Sequence, residues 1–148
     1  MKVSTRGDYA ARALLSLTLH GTDRPTSVKE IAERTRLPQP YLEQILLLVK
    51  GAGLVRSKRG VGGGYVLARP PADITVADIL DAVEGPQLPV EEPHDHCEGH
   101  CVLQEVWACM AEENRRLLGA YSLEDLAARA RVGHPEASDD PLCPDAPA

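Results

Sequence analysis

The sequence predicts a mainly α-helical protein with one small β-hairpin: a winged helix-turn-helix domain plus a long dimerisation helix. Three observations carry that expectation. Apolar residues recur at helical spacing in three short segments within residues 8–50. Residues 54–67, LVRSKRGVGGGYVL, then set two β-type runs, 54–55 and 65–67, around Gly60, Gly62, Gly63 and Gly64. Residues 102–119 read as the longest helix, roughly 27 Å at 1.5 Å per residue.

Glycine tolerates positive φ, so the glycine cluster fits a tight hairpin better than either strand. Arg56, Lys58 and Arg59 sit at the rising edge of that hairpin, where no core can bury them. A cationic hairpin reached through a run of helices is how a winged helix grips the DNA backbone. The bland alternative is a solvated hairpin with ordinary surface charge. A phosphate-cradling glycine loop should lead from a strand into a helix, whereas this one leads into Tyr65, Val66 and Leu67, which excludes it.

The chain of 148 residues can hold one compact core, and its 26% charged and 43% hydrophobic residues are ordinary for a soluble protein. No apolar run approaches the roughly 20 residues needed to cross a bilayer. Charges occupy the N-terminal positions where an export signal needs an apolar stretch, so a cytoplasmic protein away from membranes is expected. The net charge of −6 looks wrong for a DNA binder until the chain is divided. Residues 1–70 hold 12 Lys/Arg against 5 Asp/Glu, and residues 71–148 hold 4 against 17. A basic binding half and an acidic half that faces elsewhere follow from that asymmetry.

In order, residues 8–20 form the first expected helix, burying Ala10, Ala13, Leu14 and Leu17. Ser27 and Glu30 make a capping-box pattern for a second helix to about residue 35. A third, about 39–50, buries Leu42, Ile45, Leu46 and Val49 and leaves Gln39, Tyr41, Glu43 and Gln44 as exposed candidates for the major groove. Gln pairs with adenine and Glu accepts from the cytosine amino group; plain surface polarity is the alternative for either. Thr75 and Asp78 start another helix, to about Glu84, with Val76, Ile79, Leu80 and Val83 on its apolar side. Along 102–119, Val102, Val106, Met110 and Leu117 line one face, beside Leu103 and Trp107. A long amphipathic helix outside a small domain packs against a second copy, giving a two-fold dimer suited to palindromic double-stranded DNA. Ser122 and Asp125 cap a last helix, 123–130. The expected divisions are thus 1–84 for DNA binding, 85–101 for a polar loop, 102–131 for dimerisation, and a disordered tail, 132–148.

The stretches MKVSTRGDYAARALL, LPQPYLEQI, GLVRSKRGVGGGYVLARP, ITVADILDAVEG, CVLQEVW and YSLEDL together resemble a known family. It is that of the iron–sulfur winged-helix transcriptional regulators, which includes IscR and NsrR. The RGxGGGY wing following YLEQ is the most specific of these matches, and together they cover residues 1–126. The resemblance implies a homodimer on palindromic DNA, contacted through Tyr41, Glu43, Gln44 and Arg59. It also implies an iron–sulfur cluster held by three cysteines before the long helix, with a fourth ligand from the first helix at the position of Asp8. By its residues alone Asp8 is a routine first-turn carboxylate favoured by the helix dipole.

The cysteines depart from that pattern. Cys101 matches the last family cysteine, Cys97 the middle one at a shorter spacing, and residues 87–96 contain none. Cys109 lies about 12 Å further along the helix axis, too far for one small cluster, and is expected to be a buried, apolar-like residue. Cys143 falls in the tail. His94, His96 or His100 are left to supply the missing ligand, as imidazole does in Rieske-type clusters. Two cysteines, a histidine and Asp8 suit a 2Fe–2S cluster more than 4Fe–4S. The string HDHCEGHC also suits tetrahedral zinc, or Cys97 and Cys101 could form a reversible disulfide. The rival from another class is a zinc-dependent enzyme, for which no general base is evident.

Overall fold

The computed structural model describes residues 2–21, 24–85 and 100–132. Helices α1 (Thr5–His20), α2 (Val28–Thr35) and α3 (Gln39–Gly51) precede an antiparallel hairpin of β1 (Val55–Lys58) and β2 (Gly64–Leu67). A single 3-10 turn, Pro71–Asp73, leads into α4 (Val76–Glu84); α5 (His100–Gly119) and α6 (Leu123–Val132) follow. The described residues bear out the mainly α reading with its one hairpin.

Helix α1 begins about a turn earlier than its apolar stripe suggests. Ser4 caps it, its hydroxyl accepting from the Gly7 amide at 3.0 Å, so Asp8 still lies in the first turn. The stripe itself, Ala10, Ala13, Leu14 and Leu17, is completely buried. At α2 the capping box closes in both directions. Ser27 Oγ accepts from the Glu30 amide at 3.2 Å, and Glu30 Oε2 accepts from the Ser27 amide at 3.0 Å. Arg36 ends α2 in the left-handed region (φ 57, ψ 37), and this residue turns the chain sharply into α3. Leu42, Ile45, Leu46 and Val49 then join Leu14, Leu17, Ile31, Leu54, Ile74 and Ile79 in one aliphatic core.

The hairpin pairs Val55 with Leu67 and Lys58 with Gly64. It is not free-standing. Thr26, just before α2, bridges Tyr65 through N–H···O contacts of 3.0 and 2.8 Å and adds a third edge. Gly64 is required there: its φ is 151, and a Cβ would run into the Thr26 carbonyl. Helix α4 docks on α1 at Gly7, where a Cβ would meet Glu84 Oε1 at 2.6 Å. Ser4 Oγ donates to the same Glu84 oxygen, and Arg6 donates to the Val83 carbonyl at 3.3 Å. The end of α4 is thereby tied to the start of α1.

Helix α6 returns to the core. Val76 N–H donates to the Tyr121 carbonyl at 2.9 Å and Leu123 N–H to the Ile74 carbonyl at 2.8 Å, burying Leu123 and Ala127. Helix α5 meets α4, with Arg115 and Asp81 3.5 Å apart. Its apolar residues Val102, Leu103, Val106, Trp107, Met110 and Leu117 stay exposed, Trp107 by 48%. Two expectations need correction. The helix starts at His100 rather than Val102, so Cys101 belongs to its first turn and not to the preceding loop. Cys109 is exposed, not buried, because this part of α5 has no covering layer from the described residues of its own chain. The loop 86–99, with His94, His96 and Cys97, and the tail 133–148, with Cys143, lie outside the described residues.

Candidate nucleic-acid interface and sensor residues

Helix α3 separates its two faces cleanly. Its first turn carries Pro40, which favours a helix start, and no side chain caps the amides. Gln39, Glu43 and Gln44 are exposed, as the spacing requires, and Gln39 Nε2 donates to Glu43 Oε1 at 3.2 Å. Tyr41 sits at the edge of this face, its ring edge-on to Tyr9 of α1 with centroids 5.6 Å apart and planes at 87°. That contact joins the start of α3 to α1.

The wing begins on the far side of α3. Val55 is buried and anchors β1, while Arg56, Ser57, Lys58 and Arg59 are all exposed. Among the described residues no carboxylate pairs with Arg56, Lys58 or Arg59, although Arg12, Arg24, Arg34, Arg69 and Arg115 each have one. Cations clustered at a glycine-rich tip with no carboxylate partner among the described residues suit an external anion. Gly60 and Gly62, at φ 102 and 75, provide the reversal, and a Cβ on Gly63 would strike the Lys58 carbonyl.

A contact that the sequence did not reveal fixes the wing to the helix. Lys50 Nζ donates to Ser57 Oγ at 2.6 Å, joining the last turn of α3 to the middle of β1. The pattern gave no cue to it, since the partners are seven residues apart on different elements. Also unforeseen was the exposure of Leu47, at 62%, and of Leu48, at 41%. The spacing assigned neither residue to the core, but apolar identity alone gave them no place on a binding surface.

The candidate ligands are dispersed as far as they are described. Asp8 is partly exposed and ion-pairs with Arg12 at 2.9 Å. Cys101 and Cys109 are free, exposed thiols on α5. His100 begins α5, but its side chain, like His94, His96 and Cys97, lies outside the described residues. Among the described residues no three His, Cys, Asp or Glu side chains gather closely enough to hold a metal ion.

Two carboxyls are clearly perturbed, and both are helix caps. Hydrogen bonding from the Ser27 backbone holds Glu30 below its ordinary 4.5, against the opposing effect of desolvation and with help from the Ser27 hydroxyl and Arg24. The Ser122 hydroxyl and then its backbone amide hold Asp125 below 3.8. These groups are structural: each stabilises the start of a helix.

A two-helix turn, an exposed second helix and a third-edge wing with unpaired cations define a winged-helix DNA-binding regulator. The chain belongs to the Rrf2 family, described as iron-dependent transcriptional regulators, which it matches over residues 3–129. It is 39% identical over 127 residues to the HTH-type transcriptional regulator CymR of Bacillus subtilis, covering 86% of this chain and 90% of that one. IscR of Xenorhabdus nematophila is 34% identical over 135 residues, covering 89% and 82%. The solved structure of T. potens IscR superimposes with a TM-score of 0.74 at 37% identity, covering 93% of this chain and 94% of the other. These relatives are named as regulators of transcription. No helix among the described residues is long and apolar enough to cross a membrane.

Proposed function

We propose that the chain is a cytoplasmic, homodimeric, sequence-specific transcriptional regulator whose affinity for palindromic double-stranded DNA is controlled by an iron–sulfur cluster. The observation that carries the DNA contact is the joint presentation, on adjacent elements joined by Lys50 and Ser57, of the α3 face and of wing cations that have no carboxylate partner among the described residues. Gln39, Tyr41, Glu43 and Gln44 read base edges in the major groove, and Arg56, Lys58 and Arg59 hold phosphates. The uncovered apolar residues of α5 meet those of a second copy, which sets two α3 helices at a fixed half-site spacing.

The donor set of Cys97, Cys101, Asp8 and one of His94, His96 and His100 fits a 2Fe–2S cluster in number and chemistry, and the exposed Cys101 thiol fits such a ligand. A 4Fe–4S cluster or zinc fits the same residues less well. When bound, the cluster supplies sensitivity to oxidants, nitric oxide or iron supply. The chain's own residues transmit its state. Residues 86–99 follow α4 in the sequence; the last turn of α4 is tied through Glu84 and Ser4 to α1, and α1 reaches α3 through Tyr9 and Tyr41.

A second reading is favoured by the likeness to CymR, described from its solved structure as the global cysteine regulator of B. subtilis: a regulator without a cluster, responsive to cysteine status or thiol oxidation. Anaerobic purification with a visible spectrum and iron, sulfide and zinc analysis separates the two. Iron and sulfide in equal amounts with visible absorption support the cluster. A colourless protein without iron supports the CymR-like reading, and stoichiometric zinc supports the third.

A further inference from the structure

Leu47 lies at the centre of the proposed DNA-facing side of α3. At about 100° per residue it is about 40° from Glu43 and about 60° from Gln44, opposite the buried Leu42, Ile45, Leu46 and Val49. It follows those two side chains by roughly one turn, about 5 Å, and is 62% exposed. The next turn, at Lys50, is fixed to the wing by the bond to Ser57, so the position of Leu47 relative to the wing cations is set by the fold.

An aliphatic side chain cannot exchange hydrogen bonds with a base. Of the features that base edges present in the major groove, the 5-methyl group of thymine is the apolar one. We propose that Leu47 is a specificity-determining residue that covers a thymine 5-methyl group in each half-site of the bound DNA. The proposal rests on the reading that α3 enters the major groove, and it adds a base preference that the polar residues do not encode. Burying the methyl against Leu47 removes apolar surface of both partners from water, which favours thymine over cytosine or uracil at that step. Leu48, 41% exposed, is rotated about 100° toward the Tyr41 flank and has no such role.

The test uses the full chain and duplexes enriched by it from a random pool. Each thymine in the selected operator is replaced singly by deoxyuridine, which removes the methyl group and keeps the pairing. Binding is measured for the wild type, Leu47→Ala and Leu48→Ala. At one thymine per half-site, uracil is expected to weaken wild type and Leu48→Ala by about threefold to tenfold and Leu47→Ala by less than about twofold. Equal sensitivity of wild type and Leu47→Ala at every thymine overturns the proposal, as does a wild type indifferent to every methyl group. The latter result would leave Leu47 to a protein partner. If no duplex is enriched, both this proposal and the α3–DNA reading fail; enrichment without coupling at Leu47 removes this proposal alone.

Discussion

The wing and helix α5 are both surfaces that the core leaves open, but they are open in opposite chemical senses. The wing presents Arg56, Lys58 and Arg59 without carboxylate partners among the described residues, on a hairpin joined by backbone bridges to Thr26 and by Lys50 to Ser57. Helix α5 presents Val102, Val106, Trp107 and Met110, which water solvates poorly, on a helix anchored mainly near its C-terminal end through Arg115 and the return of α6. An unpaired cation fits an anion, and an uncovered apolar stripe fits another apolar stripe. The first surface therefore suits nucleic acid and the second suits a copy of the chain.

The largest effect that would break this contrast is expected on α5. Trp107→Glu puts a charge into the proposed subunit contact and should weaken self-association by at least about 100-fold, roughly 3 kcal/mol. Sedimentation should then show a monomer with an unchanged helical spectrum; a dimer of unchanged affinity would remove α5 from the interface. Next in size is Gly64→Val. The positive φ and the Thr26 carbonyl both oppose a side chain there, so the loss of stability should reach about 2 kcal/mol or more, read from the denaturation midpoint.

Smaller effects sharpen the contrast. Arg59→Ala should reduce the slope of log affinity against log salt by about one ion while leaving self-association untouched. An unchanged slope would take Arg59 off the phosphates. Ser27→Ala removes the capping hydroxyl of α2 and should cost about 1 kcal/mol. The caps also set an acid limit. Glu30 and Asp125 have folded values below their ordinary 4.5 and 3.8, so their contribution is complete above those values and is lost as pH falls through the lower folded ones. Glu30→Gln, which removes the titrating carboxylate itself, should flatten that acid loss in a pH series of melting curves, whereas Ser27→Ala leaves the backbone amide and Arg24 acting on Glu30 and should change its slope less.

How far the sequence could be read follows the same division. Periodicity placed α1 and α3, and the capping patterns at Ser27, Thr75 and Ser122 placed α2, α4 and α6, all to within a few residues. The wing was legible because positive φ leaves few residue choices other than glycine. Local patterns cannot report contacts between elements, so Lys50 on Ser57, Tyr9 on Tyr41 and the Ser4–Glu84 tie emerged only from the structure. The same limit explains Cys109. Its residue type and its distance from Cys101 suggested burial, yet the described residues of its own chain supply no layer to bury it. At the ligands, Asp8 came from the family resemblance and not from any local signal, since a first-turn carboxylate paired with Arg12 has an ordinary structural role.

The two surfaces are proposed to be coupled, so that events near Cys101, at the start of α5, set the affinity of α3 and the wing for DNA. The direct measurement is the operator affinity of anaerobically purified protein before and after iron is removed by a chelator. The account predicts a change of about tenfold or more, with self-association retained. Identical affinities for an iron-loaded and an iron-free protein would contradict it.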